Sequence, residues 1–430
     1  MMKNVFLKSA CFAFAAVFCA CFLSACSGFV SKRDNYYTQD TKPKEPSIPP
    51  QDRGYDAYGQ PAYQASPHED VFEAPLSPPL YSDSSAPLFA DVKKEKTRVA
   101  ILLPLTGNNA NLGKTLLNAA QLAVFDVSHK DFELMPFDTN ALGARGAAEE
   151  ALDAGAKLIV GPVFAQEIAS VQAVAMESSV MMMPLSTDTS LADRGVFVMG
   201  LAPSDQVDAV VAYAVQKGMR NFTALIPDTV YGNLVADVFR RSVAMHGGSV
   251  AGLEMYDRSG ADLQERVRSL ASSSDRIDAI FIPESSDVIN EVAVRLTAIG
   301  FNPQRTKILG TGTWDVARIG QKYPVLVGAW YAAPDPAYRK NFVSSYKTFY
   351  GQEPPRLASL AYDSVALAAM LSKNNMPYQE DSLTNPNGFA GLDGIFRLTP
   401  SGQVERALAV LEITPEGAKV IEGARKSFIH

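Results

Sequence analysis

No cysteine follows Cys26: all four, Cys11, Cys19, Cys21 and Cys26, sit at the start of a chain of 430 residues. The remainder therefore has no disulfide framework, thiolate zinc site or catalytic cysteine. Histidine is nearly as scarce. Of four, His129, His246 and His430 are isolated, which takes away the general base of a triad and the ligands of a zinc site. His68-Glu69-Asp70 reads as a polar turn. Neither a Gly-x-Ser-x-Gly elbow nor a His-Glu-x-x-His pair occurs. Positive charge is also in deficit, 39 Lys+Arg against 46 Asp+Glu for a net charge of -7. A phosphate-neutralising surface is not expected, and nucleic acid is no partner. What the chain does have is apolar mass, 47% hydrophobic against 20% charged. That is enough for large cores, and at roughly 100–200 residues per domain it sets two to three folding units.

Met1 to Ala25 carries Lys3 and Lys8, no acid, and an apolar run from Ala10 to Leu23. The run is too short and wrongly flanked for a membrane span, so residues 1–25 read as an export signal. It ends in Leu23-Ser24-Ala25-Cys26, which resembles a bacterial lipobox. That resemblance implies an acylated Cys26 as the mature N-terminus, held stably in a lipid membrane by several acyl chains. Ser27 at the next position implies sorting to the outer membrane, facing the periplasm. Residues 26–95 hold ten of the 27 prolines and no sustained apolar period, which predicts a disordered tether. About 65 extended residues reach on the order of 200 Å, and a flexible coil averages nearer ~50 Å.

After Lys93-Lys94-Glu95-Lys96 the pattern changes to alternating apolar strands and amphipathic helices. The expected order is strand Arg98–Leu103, helix Gly113–Val127, strand Phe132–Phe137, helix Arg145–Ala154, strand Lys157–Val160, helix Gln166–Met176 and strand Val180–Met183. A second run starts near Ser204, with strands at Phe222–Ile226, Ser249–Met255, Ala279–Ile282 and Lys307–Leu309 separated by helices. Strands this uniformly apolar are buried on both faces, as in parallel sheets covered by helices. A strand at Val325–Tyr331 and helices Tyr338–Tyr350 and Leu360–Leu371 are expected to return to the first unit. Strands Gly394–Leu398 and Ala407–Ile413 follow, with turns at Ser401-Gly402 and Pro415-Glu416-Gly417. The expected partition is residues 96–203 plus 327–395 in one lobe and 204–326 plus 396–430 in the other.

In open parallel sheets the carboxyl ends of the strands face the binding crevice. Here those ends are alike: Pro104-Leu105-Thr106-Gly107, Gly161-Pro162-Val163-Phe164, Pro184-Leu185-Ser186-Thr187, Pro227 to Gly232, Pro283-Glu284-Ser285-Ser286 and Gly310 to Trp314. Gly, Ser and Thr at helix starts offer backbone donors and hydroxyls. Each alone is explained by turning and capping; six in register point to a crevice. Cleft candidates are Thr106, Gly107, Phe164, Ser186, Thr187, Tyr231, Glu284, Ser285, Thr313 and Trp314; Trp330 is weighed between the cleft and the core, with the core favoured because it lies within a strand.

On these loops and on the helix start at Tyr231-Gly232, the chain from Thr97 to Val420 resembles the type I periplasmic-binding-protein fold. This is the two-lobed α/β Venus-flytrap of branched-chain amino-acid receptors, each lobe a parallel sheet flanked by helices. The resemblance implies that Thr187 and Tyr231 face a small-molecule ligand. Phe164-Ala165 stand near where that family carries a carboxylate-binding serine, and Gly312 near its ammonium-binding acid, with Glu284 as the one substitute. With the lipid anchor and tether, the chain also resembles the lipoprotein activators of penicillin-binding proteins. That implies a bifunctional peptidoglycan synthase as partner, no enzymatic activity and no cofactor or metal. Residues 27–95 are too short and too proline-rich for the helical-repeat domain of those activators. The alternative is a solute receptor for a transporter or sensor; a wall hydrolase fits less well. Gly107 and Gly113-Lys114-Thr115 stand where a P-loop would, but five residues separate the glycines and the motif needs four.

Overall fold

The computed structural model describes residues 96–272, 277–284, 286–298, 302, 305–316 and 318–429. The export signal, Cys26, the tether and Ser285 lie outside the described residues.

The first half of the fold alternates four strands with three helices. Strands β1 (Thr97–Leu103), β2 (Phe132–Asp138), β3 (Leu158–Val160) and β4 (Met181–Met183) alternate with helices α1 (Ala110–Val127), α2 (Thr139–Asp153) and α3 (Ala165–Glu177). They form a parallel sheet in the order β2-β1-β3-β4. The continuous apolar run of β1 has a direct cause. Val99, Ile101 and Leu103 enter one core cluster with α1, and Ala100 and Leu102 enter another with α2 and α3. Successive side chains of a strand point to opposite faces, so both faces must be apolar.

Crossing to the second sheet, α4 (Pro203–Gln216) leads to β5 (Asn221–Pro227), α5 (Val230–Met245), β6 (Ser249–Tyr256), α6 (Leu263–Ser272), β7 (Ala279–Phe281), α7 (Ser286–Ala298), β8 (Lys307–Gly310), α8 (Ile319–Lys322) and β9 (Trp330–Ala333). The chain returns through α9 (Pro336–Tyr350), α10 (Ala358–Lys373), α11 (Glu380–Leu383), β10 (Phe389–Gly391), β11 (Gly394–Leu398) and β12 (Val404–Arg406). It ends with the hairpin β13 (Ala409–Thr414) and β14 (Gly417–Glu422). The second sheet has seven strands, β14-β13-β9-β8-β7-β5-β6, parallel from β9 to β6 and antiparallel at β13 and β14. Strands β10 to β12 form a small antiparallel sheet.

The two cores divide differently from the expected partition. Val325–Tyr331 is not one strand: Pro324–Leu326 is a 3-10 turn, Gly328 takes φ 87°, and the strand proper begins at Trp330. It pairs with β8 and β13, so the crossing back to the first lobe follows Ala333 and does not precede Val327. Phe396, Leu398 and Val404 pack into the core of the first lobe, and Leu408 and Val410 into that of the second. The last crossing is therefore at Ala407 and not at residue 396. Helix α2 starts earlier than its apolar period suggests. Asp138 caps it by accepting the Asn140 N–H, and Gly143 (φ 72°, ψ 153°) interrupts it.

Candidate binding cleft

The loop after β1 in the first sheet and the loop after β5 in the second are built to one plan. A proline ends the strand, and a glycine in the following helix passes under that proline's carbonyl. A Cβ on Gly113 would lie 2.1 Å from the Pro104 carbonyl oxygen, and one on Gly232 1.9 Å from that of Pro227. Only glycine allows helix and loop so close an approach.

In the first lobe, Thr106 and Gly107 are exposed. Asn140 donates through Nδ2 to Thr106 Oγ1 (3.2 Å), and its amide lies over Gly107. Asp138 Oδ1 accepts from the N–H groups of Leu105 and Asn140, each at 3.0 Å. Desolvation pushes its pKa up, but hydrogen bonds from Thr106 and backbone N–H groups outweigh that and hold the carboxyl below the usual carboxylate range. Asp138 and Asn140 thus belong to the rim, and the sequence reading missed them. Phe164 is half-buried at the N-cap of α3 and packs against the core. Ser186 is buried and its hydroxyl accepts the Asp188 N–H at 3.1 Å, a turn contact. Thr187 is exposed.

In the second lobe, Tyr231 is 38% exposed and its hydroxyl reaches the buried Thr311 side chain; burial is the main cause that raises its pKa. Thr313 is exposed and hydrogen-bonds Thr311 (2.9 Å) and the Glu284 carbonyl (3.0 Å). The Gly312 N–H donates to Gln206 Oε1 at 2.7 Å, a residue with no local signal of this role.

Two expected cleft residues turn inward. Trp314 is fully buried, with its ring over Gly310 and its indole N–H donating to the Glu284 carbonyl at 2.8 Å. It belongs to the second lobe's core and not to the cleft lining. Glu284 is 9% exposed and accepts the Tyr256 hydroxyl, a buried phenol whose pKa burial pushes up. The one acid placed to replace an ammonium clamp is thus engaged inside its own lobe. Trp330 is in the core, as expected.

The enzyme readings also meet geometry. Gly113-Lys114-Thr115 lies within α1, and the Thr115 hydroxyl donates to Asn111 O at 2.7 Å, so this stretch is helix and not a phosphate-cradling loop. Ser242 and His246 both bond Asp208, at 3.0 and 2.8 Å. The serine donates to the carboxylate and not to the imidazole, which is not a charge-relay order. Among the described residues no His, Cys, Asp and Glu group could hold a metal ion, and no helix is long and apolar enough to cross a membrane.

The profile of the periplasmic binding protein family matches residues 96–418. The chain belongs to that family. A penicillin-binding protein activator, LpoA of Pasteurella multocida, is 22% identical over 264 residues, covering 60% of this chain and 44% of that protein. The chain spans about half the length, or less, of the curated relatives it matches. Among solved structures, a putative branched-chain amino acid ABC transporter protein from Rhodospirillum rubrum aligns with TM-score 0.68 at 18% identity, covering 76% of this chain and all of that one. The C-domain of LpoA from Haemophilus influenzae, a regulator of PBP1A, aligns with TM-score 0.61 at 19% identity over the same shares. These likenesses establish the two-lobed type I fold.

Proposed function

We propose that this protein is a non-enzymatic regulator of peptidoglycan synthesis that binds and activates a penicillin-binding protein. In this reading it is acylated at Cys26, held in the outer membrane and extended into the periplasm by residues 26–95. The observation that carries the reading is Glu284 turned in to Tyr256. The family's fold is kept, but Glu284, the acid expected to stand in for the ammonium clamp, is engaged inside its own lobe. Similarity to the activators supports the partner class. The test is crosslinking and copurification with bifunctional synthases, followed by transglycosylase and transpeptidase rates with and without the full-length lipoprotein. Contact with a several-fold rate increase is expected; absence of both overturns the proposal.

A solute-receptor role is the second reading, favoured by the amino acid transporter proteins among the structural neighbours. Calorimetry with leucine, short peptides and muropeptides separates the two. Micromolar binding with lobe closure would favour the receptor.

A further inference from the structure

The chain passes between the lobes not only at the crossings near Ala202, Ala333 and Ala407. After β14 it does so again. Ala424 packs against the second lobe's core, whereas four residues on, Phe428 is buried against the first lobe. Its ring lies where a Cβ on Gly388, the residue before β10, would come within 3.0 Å. Arg397 of β11 and Arg425 stack on the ring, with guanidinium carbons 4.8 and 4.6 Å from its centroid. Arg397 is in turn fixed by Glu405 of β12 at 2.7 Å. The Ser427 hydroxyl closes a local turn with Ile429, donating to its carbonyl at 2.7 Å and accepting its N–H at 3.0 Å.

Between its two ends the segment runs over the crossings. Glu422, Gly423 and Arg425 line a cavity of about 330 Å³ together with Asp205, Arg406 and Leu408. Across that cavity floor the Arg406 N–H donates to Asp205 Oδ2 at 2.7 Å, joining the third crossing to the first. Any rotation of one lobe against the other must change the span from Ala424 to Phe428. That span is short, so little rotation can occur with Phe428 in place.

We infer that residues Gly423–Ile429 are a strap that fixes the angle between the lobes, with Phe428 as its anchor. Two cation–π pairs on one phenyl ring give a releasable fastening, stronger than packing alone. The domain then works as a rigid two-lobed body while the ring is seated. This holds whatever partner the domain serves.

The test is amide hydrogen exchange by mass spectrometry on the full chain, comparing the wild type with Phe428→Ala and with a chain ending at Glu422. The Arg406 amide and residues 199–206 and 331–336 report on the crossings, and β1 and β5 report on the cores. Exchange at the crossings is expected to rise tenfold or more in both variants with the cores unchanged. The exposed neighbour Ile429→Ala is expected to leave both unchanged. No rise at the crossings overturns the strap. So does an equal rise in β1, which would mean that Phe428 only stabilises the first lobe.

Discussion

Gly232 and Gly113 are required by contact and not by backbone angle, which makes their substitution costly in a predictable way. A methyl at either position meets a backbone carbonyl oxygen near 2 Å, and the oxygen belongs to the proline that ends the strand. Neither helix nor loop can yield without moving the strand end. Gly232→Ala is expected to destabilise the fold by about 1–3 kcal/mol, the range for overpacking a close contact, measured as a lower urea midpoint with an unchanged m-value. Gly218→Ala, where φ is 94° and nothing lies within 4 Å of the added carbon, is strained by backbone angle alone and serves as the comparison. At this scale much of the site was legible. A proline or a glycine after most of the apolar runs marks where a strand must stop, and the hydroxyl and glycine residues that follow lie in strand-end loops. Trp314 was misread because its neighbours Thr311, Gly312 and Thr313 are loop-like, and no local pattern says that a ring in that run folds back onto Gly310. Asn140 and Gln206 were missed for the same reason: their partners, Thr106 and Gly312, lie 34 and 106 residues away.

At the scale of elements, the first turn of α4 carries a half-buried acid. Asp205 takes the Arg406 N–H, and burial pushes its pKa up to about 7 from the 3.8 of a free aspartate. Desolvation is the largest cause, and Arg406 and Arg425 oppose it. The sign follows from proton linkage. The folded state holds this proton more tightly than the unfolded chain, so the associated stability is complete below about pH 4 and is lost as pH rises toward 7. Wild-type melting temperature, corrected for the other titrations by comparison with the variant, is therefore expected to fall between pH 5 and pH 8. Asp205→Asn, which keeps an oxygen acceptor for the Arg406 N–H, is expected to flatten that dependence and to match or exceed wild type at pH 8. A parallel pH profile for the two proteins would show that Asp205 is not the group responsible. Element order was readable because β1, β5, β7 and β8 are apolar on both faces. The start of β9 was not, because Val325, Leu326 and Val327 look like a strand until Pro324 and Gly328 are weighed against them.

For the whole molecule, the question is whether two lobes with separate cores behave as one unit. The most deeply buried charge pair beside the crossings is Arg406 with Asp363, both seated in the first lobe, 3.1 Å apart and without solvent exposure. The guanidinium also reaches the Met199 carbonyl and stacks on Phe396 at 4.8 Å. An ion pair does join the lobes at the rim: Arg356 of the first lobe meets Asp315 of the second at 3.0 Å, and Asp315 also accepts from the Tyr331 hydroxyl. The partners of each pair are distant in sequence, so composition and periodicity carried no sign of them. An arginine cannot discharge its burial by losing a proton, so Arg406 needs its carboxylate partner in place. Burial raises the pKa of Asp363 to about 6, which still leaves it ionised at neutral pH. Asp363→Asn is expected to cost about 3–5 kcal/mol, the usual loss when one member of a buried pair is removed. Calorimetry should show one transition for the wild type and, in the variant, an earlier transition for the first lobe, where both charges are seated. Two well-separated transitions already in the wild type would mean that the lobes are thermodynamically independent and that the Arg356–Asp315 pair only sets their orientation.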